Sequence, residues 1–176
     1  MTNTDTPFRI GTGYDVHAFA PPAATRALVL GGVTIPHDRG LAGHSDADVL
    51  IHALVDALLG AAALGDIGTH FPSSDDRWHD APSAAFLTYT ADLLRAHGWR
   101  IANLDATLVA ERPRLSPHVP AMRARLADLL GLPVERVSVK SKTTDGLGFT
   151  GRGEGIVCHA VALVARVDAG APDGER

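Results

Sequence analysis

The segment from Ile156 to Val167 is apolar at nearly every position, with only His159 and Arg166 interrupting it. A strand with one wet face alternates apolar and polar residues, so a strand apolar on both faces must be covered on both. That demand constrains the rest of the chain. Helical periodicity runs near 46–63, 82–97 and 117–130, and strand character near 8–19, 27–35, 100–111, 134–143 and 156–167. The order β-β-α-α-β-α-β-β predicts an α+β domain, a mixed sheet with helices on one face. Three helices cannot cover both faces, so the second face is expected to meet another subunit.

No repeat or Pro/Gly/Ser linker divides the 176 residues, and 1–176 reads as a single domain. The tails 1–7 and 168–176 are polar or small and are expected to fray. Ser45 with Asp48 has the S-x-x-D form of a capping box, and Ser116-Pro117 places a cap before a proline. Gly98 and Gly131 close the second and third helices.

A net charge of −4 gives no bulk attraction for nucleic acid or membrane. A polyphosphate ligand would therefore need local positive charge, and a bound metal is the expected source. The lone cysteine, Cys158, sits in the apolar run and reads as a buried small hydrophobe. With no signal-like or membrane-spanning segment, a cytoplasmic protein is expected.

In a strand, residues two apart share a face, so Asp15 and His17 project together while Ile10, Tyr14 and Val16 face away. A carboxylate beside an imidazole is half of a zinc site, although D-x-H alone specifies little. In the following helix Asp48, His52 and Asp56 form one stripe in an otherwise apolar sequence. Two readings stay open there: a solvated polar edge, or a metal-ligating histidine supported by neighbouring acids. His44 and Ser45 lie where a helix start can grip an anion, or where Ser45 simply caps. Asp66, in a turn-like segment, either accepts sugar hydroxyls or caps its turn. From Lys140 to Gly155, lysines, hydroxyls and an acid lead into five glycines within ten residues. That composition lets backbone approach a ligand closely, or makes a flexible hairpin.

Together, and in this order, the motifs resemble the 2-C-methyl-D-erythritol 2,4-cyclodiphosphate synthase family, over about Phe8 to Arg166. They are Gly-Tyr-Asp-Val-His at 13–17, His-Ser-Asp-Ala-Asp at 44–48 and His-Ala-Leu-Val-Asp-Ala-Leu-Leu-Gly at 52–60. Asp-Ile-Gly-Thr-His-Phe-Pro at 66–72 and Leu-Gly-Phe-Thr-Gly-Arg-Gly-Glu-Gly at 147–155 complete the set. The resemblance implies that Asp15, His17 and His52 hold one divalent metal per chain, with zinc the expected ion. It implies transition-state roles for His44 and Thr143, with Ser45 beside a bound phosphate. It places Asp15, Val16, His17, Asp66, Ile67, Gly68, Phe71, Pro72, Ser73, Ser74 and Asp75 against the substrate. Ala110, Glu111, Arg112, Pro113, Arg114, Leu115 and Ser116 match a cytidine pocket. Lys142, Thr144, Phe149 and Arg152 match further ligand contacts.

The implied reaction is metal-dependent cyclisation of 4-diphosphocytidyl-2-C-methyl-D-erythritol 2-phosphate with release of CMP. A second ion, magnesium or manganese, would bridge the diphosphate, and Asp145 would ligate it. The family often carries Glu there, and Asp reaches one methylene less far. The resemblance also implies a homotrimer with active sites between subunits. Two other readings compete: a zinc-dependent nucleotide-diphosphate hydrolase, and a trimeric ligand-binding module without catalysis.

Overall fold

The computed structural model describes residues 7–167; the tails expected to fray lie outside them, apart from Pro7. The strand β1 (Phe8–Ala18) is followed by a hairpin, β2 (Leu28–Leu30) and β3 (Val33–Ile35). The single strand expected at 27–35 is therefore two. Gly31 and Gly32 both sit at positive φ and turn the chain between them. Then come α1 (Val49–Ala62), a short α2 (Ile67–His70), α3 (Ser83–Ala96) and β4 (Trp99–Val109). The described residues end with α4 (Val119–Leu130), β5 (Val137–Lys142), a short α5 (Gly148–Gly151) and β6 (Gly155–Arg166).

The main sheet has the order β1-β6-β4-β5, antiparallel except for the parallel pair β4–β5. It is the mixed sheet expected, and α1, α3 and α4 pack on one face of it. The apolar strand β6 lies inside the sheet, where its even-numbered residues Ile156 to Val164 are buried beneath the helices. Cys158 is among them, and burial pushes its thiol pKa up, as expected for an inert hydrophobe. On the opposite face Phe8, Ile10, Tyr14 and Val16 of β1, with Val161 of β6, are exposed; Ile10 is 70% accessible. That apolar stripe has no cover within the described residues.

Two helix starts differ from the sequence expectation. Asp48, not Ser45, caps α1, and it accepts the N–H groups of Leu50 and Ile51. A carboxylate placed two to three residues ahead of orphan donors satisfies them better than a serine farther back. The same carboxylate accepts Gly31 and Gly32 N–H, so it also pins the β2–β3 turn. Asp48 is fully buried, which removes the solvated-edge reading at this position. Ser116-Pro117 opens a 3-10 turn, and α4 begins only at Val119, without a side-chain cap.

Helix α1 lies directly on β1 because β1 offers glycine where the two touch. A Cβ at Gly11 would stand 2.0 Å from Ala57 O, and one at Gly13 would stand 1.9 Å from Ala53 O. Both obstacles are backbone, which cannot yield cheaply. Gly13→Ala should therefore push α1 outward and cost about 3 kcal/mol or more, the upper range for overpacking. Urea unfolding measures it; wild-type stability would mean the helix is not held this close.

Candidate active site

The close approach of α1 to β1 brings His52 over Asp15 and His17. Asp15 Oδ2 lies 3.0 Å from His52 Nδ1 and 3.1 Å from His17 Nε2, and the two nitrogens are 3.1 Å apart. Ligands about 2.05 Å from a tetrahedral zinc lie roughly 3.3 Å from one another, so this triangle has nearly the right size. The remaining nitrogens are held. His17 Nδ1 donates to Ala42 O at 2.6 Å, leaving Nε2 to face the cluster. Burial opposes charge on both partners, but their mutual hydrogen bonds prevail: Asp15 is driven below the usual carboxylate range and His17 is raised. Two imidazole nitrogens around an anion make a place for positive charge. The donor set fits a divalent metal.

The cluster opens into a cavity of about 320 Å³ lined also by His44, Ser45, Ile67, Gly68, Phe71, Ser73, Trp78 and Phe86. Here the structure gathers most of the expected substrate contacts from the first half of the chain. Pro72, Ser74 and Asp75 adjoin it in sequence; Asp75 caps the next turn and pairs with Arg77. Asp66 caps α2, its Oδ1 accepting Thr69 N–H and the Thr69 hydroxyl, while Ile67 and Gly68 reach the cavity. Asp56 makes no hydrogen bond to His52; its carboxylate accepts Ile67 N–H and anchors that turn. Val16 lies on the opposite sheet face from the cluster.

The residues of the second half gather elsewhere. A separate cavity of about 260 Å³ is lined by Ala110, Glu111, Pro113, Arg114, Leu115, Ser116, Ser141, Lys142 and Thr143. Thr143 Oγ1 donates to Asp145 Oδ1 at 3.1 Å, which puts the expected second-ion ligand beside Thr143. Thr144 turns inward to Leu147 O and Thr150. Arg152 pairs with Glu154 and, with Arg112, borders a different hollow; Phe149 is part-exposed on α5.

The register separates the halves. Val16 pairs with Val157, Val157 with Val109 and Val109 with Lys142. His17 and Thr143 therefore follow equivalent positions on β1 and β5, three strand spacings apart, roughly 14 Å.

A sequence model described as the YgbB family matches residues 8–165. The chain belongs to the YgbB family. A relative from Moorella thermoacetica, 2-C-methyl-D-erythritol 2,4-cyclodiphosphate synthase, is 60% identical over 93% of this chain and 98% of its own. Among solved structures, an IspF–CDP complex from Plasmodium falciparum superposes with TM-score 0.80 at 33% identity, covering 93% of this chain and 99% of that one. A bifunctional IspDF from Campylobacter jejuni gives TM-score 0.86 at 40% identity over 90% of this chain. This chain spans only 42% of that longer protein. The resemblance read from the motifs is thus the family this YgbB chain belongs to.

Three residues at this YgbB site escaped the sequence reading: Ser83, Trp78 and Phe86. Ser83 Oγ lies 2.9 Å from His52 Nε2, and Phe86 stacks near the same ring. A signal existed. Ser83, Phe86, Leu87 and Thr90 share the buried stripe of α3, and a serine there needs a polar partner.

Proposed function

We propose that this chain converts 4-diphosphocytidyl-2-C-methyl-D-erythritol 2-phosphate to the 2,4-cyclodiphosphate with release of CMP, in the non-mevalonate route to isoprenoid precursors. One observation carries the mechanism: the convergence of Asp15, His17 and His52 on a single point at the mouth of a cavity containing His44 and Ser45. The 2-phosphate oxygen attacks the β-phosphorus, the bond from that phosphorus to the bridging oxygen breaks, and CMP leaves with the electron pair. Zinc bound by the triad would supply Lewis acidity at a phosphate oxygen. Because the nucleophile belongs to the substrate, the protein needs to position and neutralise rather than attack.

The chain's own groups are suited to that work. Ser45 and His44 present a hydroxyl and an imidazole to the phosphate side of the cavity. Thr143, beside Lys142 and Asp145, lies at the nucleotide side, where a magnesium or manganese ion would accompany the diphosphate. The triad and Thr143 are both needed at the reacting diphosphate, yet a single chain holds His17 and Thr143 roughly 14 Å apart by strand spacing. Assembly removes the contradiction. In a homotrimer, one subunit's triad faces the next subunit's Thr143 pocket, and the sheets cover one another's exposed stripe. Burying each large apolar side chain of that stripe contributes about 1.5–3 kcal/mol.

Two measurements test this reading. Incubation with the named substrate should release CMP, and a chelator should stop the release; release untouched by chelation would remove the metal. Native mass spectrometry should give three chain masses for wild type and one for Ile10→Glu, which puts a charge on the stripe. A monomeric wild type with full activity would end the shared-site model.

A further inference from the structure

His52 meets the triad through Nδ1, so its other nitrogen, Nε2, has to carry the proton if Nδ1 is to be a ligand. Two hydroxyls lie within reach of Nε2: Ser83 Oγ at 2.9 Å and Ser45 Oγ at 3.1 Å. A hydroxyl donates or accepts according to where its own proton points. Between two undirected hydroxyls, His52 would have no fixed tautomer.

Asp46 removes that freedom. Its Oδ1 accepts the Ser83 hydroxyl proton in a short hydrogen bond, and its Oδ2 accepts Ser83 N–H at 3.1 Å. A carboxylate accepts only, so the Ser83 proton is committed to it and a Ser83 lone pair is turned toward His52. Ser83 is fully buried and Ser45 nearly so, so little water competes for these contacts. We infer that Asp46 and Ser83 are positioning residues that fix His52 as the Nε2–H tautomer and aim Nδ1 at the metal. The inference rests on the metal reading given above.

It also separates the two serines. With Nε2–H received by Ser83 and the Ser45 oxygen accepting Ala47 N–H at 3.2 Å, the Ser45 hydroxyl has two places to turn its proton, the long 3.4 Å contact to Ser83 Oγ and the cavity that Ser45 lines. Ser45 then serves the substrate phosphate, and Ser83 serves the metal ligand.

A merely structural role is the rival account, because Asp46 also ties the start of α3 to the segment before α1. Its backbone N–H donates to Ala81 O, and its side chain accepts Asp48 N–H. Loss of such a tie would lower the melting temperature and leave the His52 tautomer and zinc affinity alone. Zinc affinity, measured by chelator competition, and the ¹⁵N imidazole shifts of His52 in metal-free protein tell the two apart. Ser83→Ala and Asp46→Asn should each weaken zinc about 10- to 100-fold, the range for lost support of a ligating histidine. Both should also mix the His52 tautomers. Ser83→Thr, which keeps the hydroxyl, should restore the wild-type values, and Ser45→Ala should bind zinc normally. If Ser83→Ala does not fold, the volume-neutral Asp46→Asn carries the same test. Wild type that binds no zinc would defeat the metal reading itself. Wild type that binds zinc, with both variants equal to it in affinity and tautomer, would overturn this inference alone. So would a Ser45→Ala variant that loses zinc as Ser83→Ala should.

Discussion

His52→Ala should lower cyclisation by at least about 10³-fold, since several kcal/mol of Lewis-acid stabilisation goes with the metal and each 1.36 kcal/mol is tenfold. The loss should appear together with zinc content. His52 offers one of three candidate ligand atoms in a triangle with edges near 3 Å, and the two left without it would make a poor zinc site. Elemental analysis of the purified variant should find far less than one ion per chain. The ring is also packed against Phe86 and bonded to Ser83, so a thermal melt is needed beside the assay. A folded variant that keeps one zinc per chain would take His52 out of the site.

Thr143→Ala should cost on the order of 10²-fold in turnover, as loss of one transition-state donor commonly does, and leave bound zinc intact. The pair of variants does more than either alone. His17, which shares the triad with His52, and Thr143 lie about three strand spacings apart in one chain, roughly 14 Å, too far for the triad and Thr143 to touch one phosphoryl group together. If each site joins two subunits, mixed trimers of the two inactive variants regain activity. Random reassembly in a head-to-tail ring gives about a quarter of the interfaces an intact triad opposite an intact Thr143. Recovery near that level over the whole reassembled population, with mass spectrometry showing that mixed trimers have formed, is the expected result. Mixed trimers as inactive as their parents would place both residues in the same subunit's site.

The sequence disclosed what depends on local period. Asp15 and His17 share a face because a strand repeats every two residues, and β1 has that form. His52 stands out as a histidine in a strongly apolar helix, but spacing leaves a polar edge and a metal ligand both open, and only the resemblance of the combined motifs selects the ligand. The roles of its stripe companions were not legible. Asp48 turned from the helix face to cap α1 and hold the β2–β3 turn, and Asp56 turned to Ile67. Each choice depends on a segment far away in the chain. The same holds for Ser83, 31 residues from the histidine it supports. The separation of His17 from Thr143 follows from the strand order β1-β6-β4-β5, which no local pattern encodes.

Phosphorus NMR of the products formed from 4-diphosphocytidyl-2-C-methyl-D-erythritol 2-phosphate tests the central claim most directly. Attack by the 2-phosphate joins two phosphorus atoms through one oxygen, so the product should show two mutually coupled signals beside that of CMP. Attack by a metal-activated water would instead leave two uncoupled monoester signals, and binding without turnover would leave the substrate spectrum unchanged. Either of those results would contradict cyclisation.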